Sequence, residues 1–342
     1  MTPALVRGSV CILAIAAATG AAGQAPAATP HTSAPGSTTA KKTAPKPRGA
    51  LETQRDLGGI WTNATITPLQ RPPELAGKPT LTEAEAAAYE RKAVQSGDSD
   101  RRAASALADL NLAYNDVFFD RGTRLARVHG TIRTSLIVDP PDGKIPTLTA
   151  EAQQRSSARR NSFDSVKDRP LGERCLLGFN STDVPLLPVY YNNDFQIVQS
   201  PATIMILVEM IHDVRLVHMD RTQHLPATMR LWLGDSIGHW EGGTLVIDTT
   251  NFTDQTRFAG SGENLHVIER LTREAPDTIL YKFTIDDPST FTRQWSAEYP
   301  FVATRGRIYE YACHEGNYAI AGVLAGARAK EKAQETPRQE GK

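Results

Sequence analysis

Within the apolar run from Thr203 to His218 stand Glu209, His212, Asp213 and Arg215. Carboxylates and imidazoles are the side chains that move protons near neutral pH, and a guanidinium beside a carboxylate lowers its pKa or holds a substrate anion. Strand alternation puts Glu209, Asp213 and Arg215 on one face and His212 and His218 on the other. The first face is either a solvated exterior or the lining of a polar cavity, and a bend or bulge in so long a strand would shift the phase partway. His212 and His218 lie about 20 Å apart along an extended strand and cannot share one ion. Nor do His129, His224, His239, His266 and His314 form a His-Glu-x-x-His or Cys-x-x-Cys spacing, so no metal or other cofactor is expected.

A second candidate lies at the end of the chain, where Cys313 is followed by His314 and Glu315. If Cys313 bonds Cys175, then Glu173 and Arg174 come near that pair and form a compact cluster of acids, base and cation. Structural ion pairs around a disulfide would use the same residues. The rival reading makes Cys313 a reactive thiol, but adjacency along a strand does not give it a partner in space.

Gly234-Asp-Ser-Ile-Gly238 matches Gly-x-Ser-x-Gly, with Asp248 and His266 following in hydrolase order. That motif needs a strand-to-helix turn. Here His239 to Asp248 reads as another strand, so a polar β-turn is the simpler reading.

The elements that must position these residues are strands. From Thr203 to Phe252, β-branched and aromatic residues dominate, Gly and Asp punctuate, and no helical spacing recurs. Further strands are expected at Asp56–Thr62, Arg133–Asp139, Asp194–Gln199, Leu265–Arg273, Thr278–Ile285, Thr292–Tyr299 and Arg307–Cys313. Short polar turns between them describe an antiparallel meander, which closes into a barrel because closure removes exposed edges. The fold class is therefore mainly β, with short helices inserted in the N-terminal half. Thr82 and Glu85 form a capping box that predicts a helix over 83–95; a second is expected within 98–116 and a third over 150–160.

Residues 1–23 have the basic start, apolar run and small-residue exit of a signal peptide, so an exported protein, periplasmic or secreted, is expected. The run is too short to span a membrane. Residues 24–50 read as a disordered linker and 326–342 as a disordered tail, leaving 51–325 as one barrel domain. Cys11 falls in the signal, and in an oxidising compartment Cys175 and Cys313 are expected to pair. Lys plus Arg and Asp plus Glu each number 38, with no basic stripe, which argues against a nucleic-acid partner.

Arg133–Pro146, Asp168–Cys175, Trp232–Gly242 and Tyr309–Tyr318 resemble motifs of an uncharacterised exported protein family of environmental bacteria, which implies membership but carries no activity. Separately, Gly59-Ile60-Trp61 resembles the Gly-x-Trp opening of lipocalin-like barrels and implies a ligand cavity. The expected function is binding of a small, partly apolar molecule. Trp232, Trp240, Trp295, Tyr281, Tyr309 and Tyr311 would wall the cavity, and Arg174, Arg230, Asn251 and His266 would supply polar contacts. The alternatives are a cofactor-independent hydratase, lyase or isomerase using Glu209, His212, Asp213, Arg215 or the His314 cluster, and a structural envelope protein without a pocket.

Overall fold

The computed structural model describes residues 49–97, 119–159, 163, 165–178, 184–256 and 258–335. Its strands are β1 (Gly59–Thr62), β2 (Thr80–Leu81), β3 (Arg127–Val128), β4 (Thr131–Arg133), β5 (Ile137–Asp139), β6 (Asp194–Gln199), β7 (Thr203–Val208), β8 (Val214–His218), β9 (Asp235–Glu241), β10 (Thr244–Thr250), β11 (His266–Ala275), β12 (Thr278–Asp286) and β13 (Trp295–Ala303). β1 and β6 to β13 pair in succession and β13 returns to β1, so nine strands close into a barrel. β5 takes the stretch of β13's edge that β1 is too short to cover, pairing at Ala297 while β1 pairs at Val302 and Ala303. β2, β4 and β3 form a separate small sheet.

The meander departs from expectation at Thr203–His218, at the β8–β9 joint, at Arg307–Cys313 and at Arg133–Asp139, whose two ends belong to β4 in the small sheet and β5 in the large one. Thr203–His218 is a hairpin rather than one strand: β7 and β8 pair antiparallel around a turn in which Ile211 (φ 63°) and His212 (φ 57°) are left-handed. A β-branched residue rarely adopts that conformation, and no Asn-Gly or Asp-Gly marks the turn. β8 then pairs parallel with β9, so the connector 219–234 must run back outside the barrel from one end to the other. Gly238 makes that joint possible, because a Cβ there would fall 2.8 Å from Val217 Cγ1 and 2.7 Å from Met219 Sδ.

Alternation fills the interior. β12 alternates buried and half-buried residues throughout, and Ile279, Tyr281, Phe283 and Ile285 point inward. From β13 come Trp295, Ala297, Tyr299 and Phe301, all fully buried. Tyr281 stacks on Phe301 at 4.5 Å and Phe195 meets Phe301 edge-on at 4.8 Å. Each such ring contributes about 1.5–3 kcal/mol by leaving water.

One end is closed by the segment before β1. Gly59 adopts φ 145°, which a side chain would resist, and Trp61 is buried with its Nε1–H donating to the Leu57 carbonyl at 2.9 Å. Arg273 lies over the Trp61 ring at 5.6 Å and also donates to the Asp56 carbonyl. At the opposite end, the mouth, the irregular segment Val184–Pro188 crosses the opening: Leu186 donates its N–H to Tyr281 Oη at 3.1 Å, and Tyr299 Oη donates back to the Leu186 carbonyl.

The helix over Glu83–Gly97 starts on the expected box, with Thr82 N–H donating to Glu85 Oε2 at 2.9 Å and Glu85 N–H donating to Thr82 Oγ1 at 3.3 Å. Another spans Ala150–Arg159. The expected signal peptide, most of the linker and the second helix within 98–116 lie outside the described residues. Arg307–Cys313 is irregular rather than a strand, and the tail expected from 326 begins inside a helix over Ala319–Glu335. Among the described residues no helix is long and apolar enough to cross a membrane.

Candidate functional site

Three polar systems are built on this frame: one at the mouth, one inside and one outside. At the mouth a cavity of about 940 Å³ has a floor of Leu136, Leu187, Met210 and Phe258, residues that cap the core. Its walls include Ile66, Tyr190, Tyr191 and Ala93, and among the described residues Arg121 is the charged one lining it. Beside it, Asn192 Nδ2 donates to Glu209 Oε1 at 2.5 Å. Burial pushes the Glu209 carboxyl above its usual range, with the negative charges of Asp194 and Asp120 adding to the effect. The same cause, burial, raises Asp194 and Asp120. His212 Nδ1 accepts from the Tyr311 backbone N–H at 3.1 Å, which ties the C-terminal segment to the β7–β8 turn.

Inside the barrel Arg215 forms an ion pair with Glu269 in which both side chains are essentially inaccessible. Arg215 Nη1 donates to Glu269 Oε1 at 3.0 Å, Nε to Ser236 Oγ at 3.0 Å and Nη2 to Thr249 Oγ1 at 2.7 Å. Tyr281 Oη donates to Glu269 Oε1 at 2.7 Å. Burial raises the Tyr281 hydroxyl well above its ordinary pKa, and the Glu269 charge adds to that.

Outside, His224 on the β8–β9 connector places Nδ1 3.1 Å from Asp235 Oδ2 and Nε2 2.8 Å from Asp248 Oδ1. His266 Nε2 approaches both Asp248 oxygens at 3.1 Å. Asp235 also accepts from Arg221 Nη2 at 2.6 Å and from the Leu225 N–H at 2.9 Å. Burial alone would raise Asp235 and Asp248, but bonds from Arg221, Leu225 and His224 hold Asp235 down, and bonds from His266 and His224 hold Asp248 down.

The expected residues are thus dispersed. Glu209 and His212 lie at the mouth, whereas Arg215 lies inside. The Asp213 backbone carbonyl closes the β7–β8 turn by accepting the Val208 N–H at 2.9 Å. Asp248 and His266 meet as the hydrolase reading requires, but Ser236 points inward to Arg215 and Thr249 while they point outward, so the sheet separates them. Cys175 and Cys313 are joined, with Cα atoms 5.7 Å apart. Around them Glu173 takes a bidentate pair from Arg169, both at 2.9 Å, and Arg174 donates to Gln255 at 3.1 Å, while His314 and Glu315 are exposed.

Of the aromatic wall, Tyr281 and Trp295 are packed in the core, and Trp240 lies under Arg55 at 5.5 Å towards the closed end. Trp232 and Tyr311 are half-buried and Tyr309 is exposed. Asn251 Nδ2 donates to the Leu225 carbonyl at 2.8 Å, and Arg230 Nη1 donates to the Phe252 carbonyl at 3.3 Å, so both hold the connector. Sequence reading missed Glu269, whose parity with Leu271 marks it as inward, and missed His224, for which no local signal exists.

Among the described residues, no group of three or more His, Cys, Asp and Glu converges as a metal site would. Comparison with protein-family models, curated proteins and solved structures returns no match.

Proposed function

We propose that this is an exported protein that binds a small, partly apolar molecule at the mouth of its barrel. The observation that carries the reading is the cavity of about 940 Å³, whose apolar floor is continuous with the core. Ligand sites combine such a floor with a few polar groups, here Arg121, Tyr190 and Tyr191. Because the lumen is filled by aromatic rings and the Arg215–Glu269 pair, the ligand sits above the core rather than within it. The Gly59-Ile60-Trp61 opening and the closed barrel support a lipocalin-like carrier, and the Cys175–Cys313 bond supports an oxidising compartment. The acid–base alternative draws less support, because Glu209 and His212 lie at the mouth, held by Asn192 and the Tyr311 N–H, whereas Arg215 lies inside the barrel against Glu269.

The test is fluorescence titration of the mature protein with N-phenyl-1-naphthylamine, a neutral apolar probe. Ala93→Trp, which fills the cavity from the helix wall, should weaken uptake at least about tenfold. Its neighbour Val94, 42% exposed and not part of the lining, supplies the control Val94→Trp. Absence of saturable uptake by the unmodified protein, or equal uptake by both variants, would remove the reading.

A further inference from the structure

The cluster outside the barrel holds the part of the fold that the topology makes hardest to hold. A parallel β8–β9 pair obliges the connector 219–234 to return over the outer face, and its first half is fixed largely by polar contacts. These are Arg221 and the Leu225 N–H on Asp235, His224 on Asp235 and Asp248, and Asn251 on the Leu225 carbonyl.

The chemistry of His224 makes these contacts conditional. Ionised carboxylates only accept hydrogen bonds, and a neutral imidazole has a single N–H to donate. His224 presents both ring nitrogens to carboxylate oxygens, so both bonds form together only when the ring carries both protons. His266 competes for the same Asp248 oxygen, and its Nδ1 faces Asp286 Oδ2 at 3.9 Å. The charged groups on the packed elements are therefore Arg221 from the connector, Asp235 from β9, Asp248 from β10, His266 from β11 and Asp286 from β12. At the start of the connector, His218 and Asp220 pair with each other at 4.0 Å. Among the described groups that make these contacts, Asp235, Asp248 and Asp286 face the Arg221 guanidinium when the imidazoles are neutral, and imidazoliums at His224 and His266 balance them. Both nitrogens of each ring are turned to carboxylates, which leaves neither ring placed as a base toward a substrate.

We propose that His224, Asp248 and His266 form a proton-dependent latch that holds the β8–β9 connector against the barrel and releases it as the imidazoles lose their protons. The bond to Asp248 raises the His266 pKa. That contribution is complete below the ordinary imidazole value of about 6.5 and is lost as pH rises through the raised one. The Asp235 and Asp248 pKa values are lowered, so their contribution persists until pH falls through those depressed values. The latch is therefore closed between about pH 4 and 6.5 and loosens above.

Hydrogen exchange of the whole mature protein, followed by mass spectrometry and corrected for intrinsic rates, tests this. Peptides covering 219–231, with the Leu225 amide as reporter, should exchange about tenfold faster near pH 8.5 than near pH 5.5, while β12 stays unchanged. His224→Gln should exchange at the fast level at both pH values. Equal protection of the unmodified connector at both pH values would overturn the latch, as would an undiminished pH response in both His224→Gln and His266→Gln. Should the variants fail to fold, ¹⁵N spectra of the unmodified imidazoles decide. A doubly protonated His224 near pH 5.5 supports the latch, and a neutral one overturns it.

Discussion

β9, β10 and β11 carry two polar systems back to back, separated by the thickness of one sheet. Ser236, Thr249 and Glu269 point inward to Arg215; Asp235 and Asp248 point outward to His224, and His266 points outward to Asp248. The inner system is anchored by a guanidinium that stays charged at any physiological pH, and its carboxylate is shielded from water. The outer system is anchored by imidazoles and remains partly open to solvent, its Asp248 side chain 34% exposed. Position on the pleat thus decides whether a charge cluster fixes the fold or responds to conditions.

The largest expected effect breaks the inner system. Glu269→Ala strands Arg215 in the barrel and should cost about 3–5 kcal/mol, measured by urea unfolding and equal near pH 5.5 and pH 8.5. A loss below about 1 kcal/mol would mean that water or a neighbouring group compensates. Next, Tyr281→Phe removes the hydroxyl that both donates to Glu269 and accepts from Leu186, and should cost about 1–3 kcal/mol. The smallest effect belongs to the outer system. With solvent screening, Asp248→Asn should cost no more than about 1 kcal/mol near pH 5.5 and less near pH 8.5. A cost that grows with pH would show that the two systems do not differ as described.

The fold was largely legible because strand alternation and closure rest on local pattern. Ile279 to Ile285 reads as a half-buried strand without reference to anything else, and the Thr82–Glu85 box starts its helix where the residues require. Thr203–His218 was misread because its turn uses Ile211 and His212 rather than Gly or Asn. That break reversed the phase, so Arg215 came to face the core beside Val217, while Val214 and Leu216 face solvent. The sites were less legible. Glu209 was found from its setting, but its neighbours Asp120 and Asn192 come from distant segments, and the cavity is built almost entirely from irregular ones.

The sequence by itself determined the class of fold, the helix start at Thr82 and the spacing of inward and outward residues along each strand, because these depend on neighbours a few residues apart. The tertiary structure decided which inward charges meet, that Asp248 and His266 stand apart from Ser236, and that a connector rather than a strand brings His224 to them. Those outcomes depend on strand order and on the parallel β8–β9 joint, which no local pattern encodes.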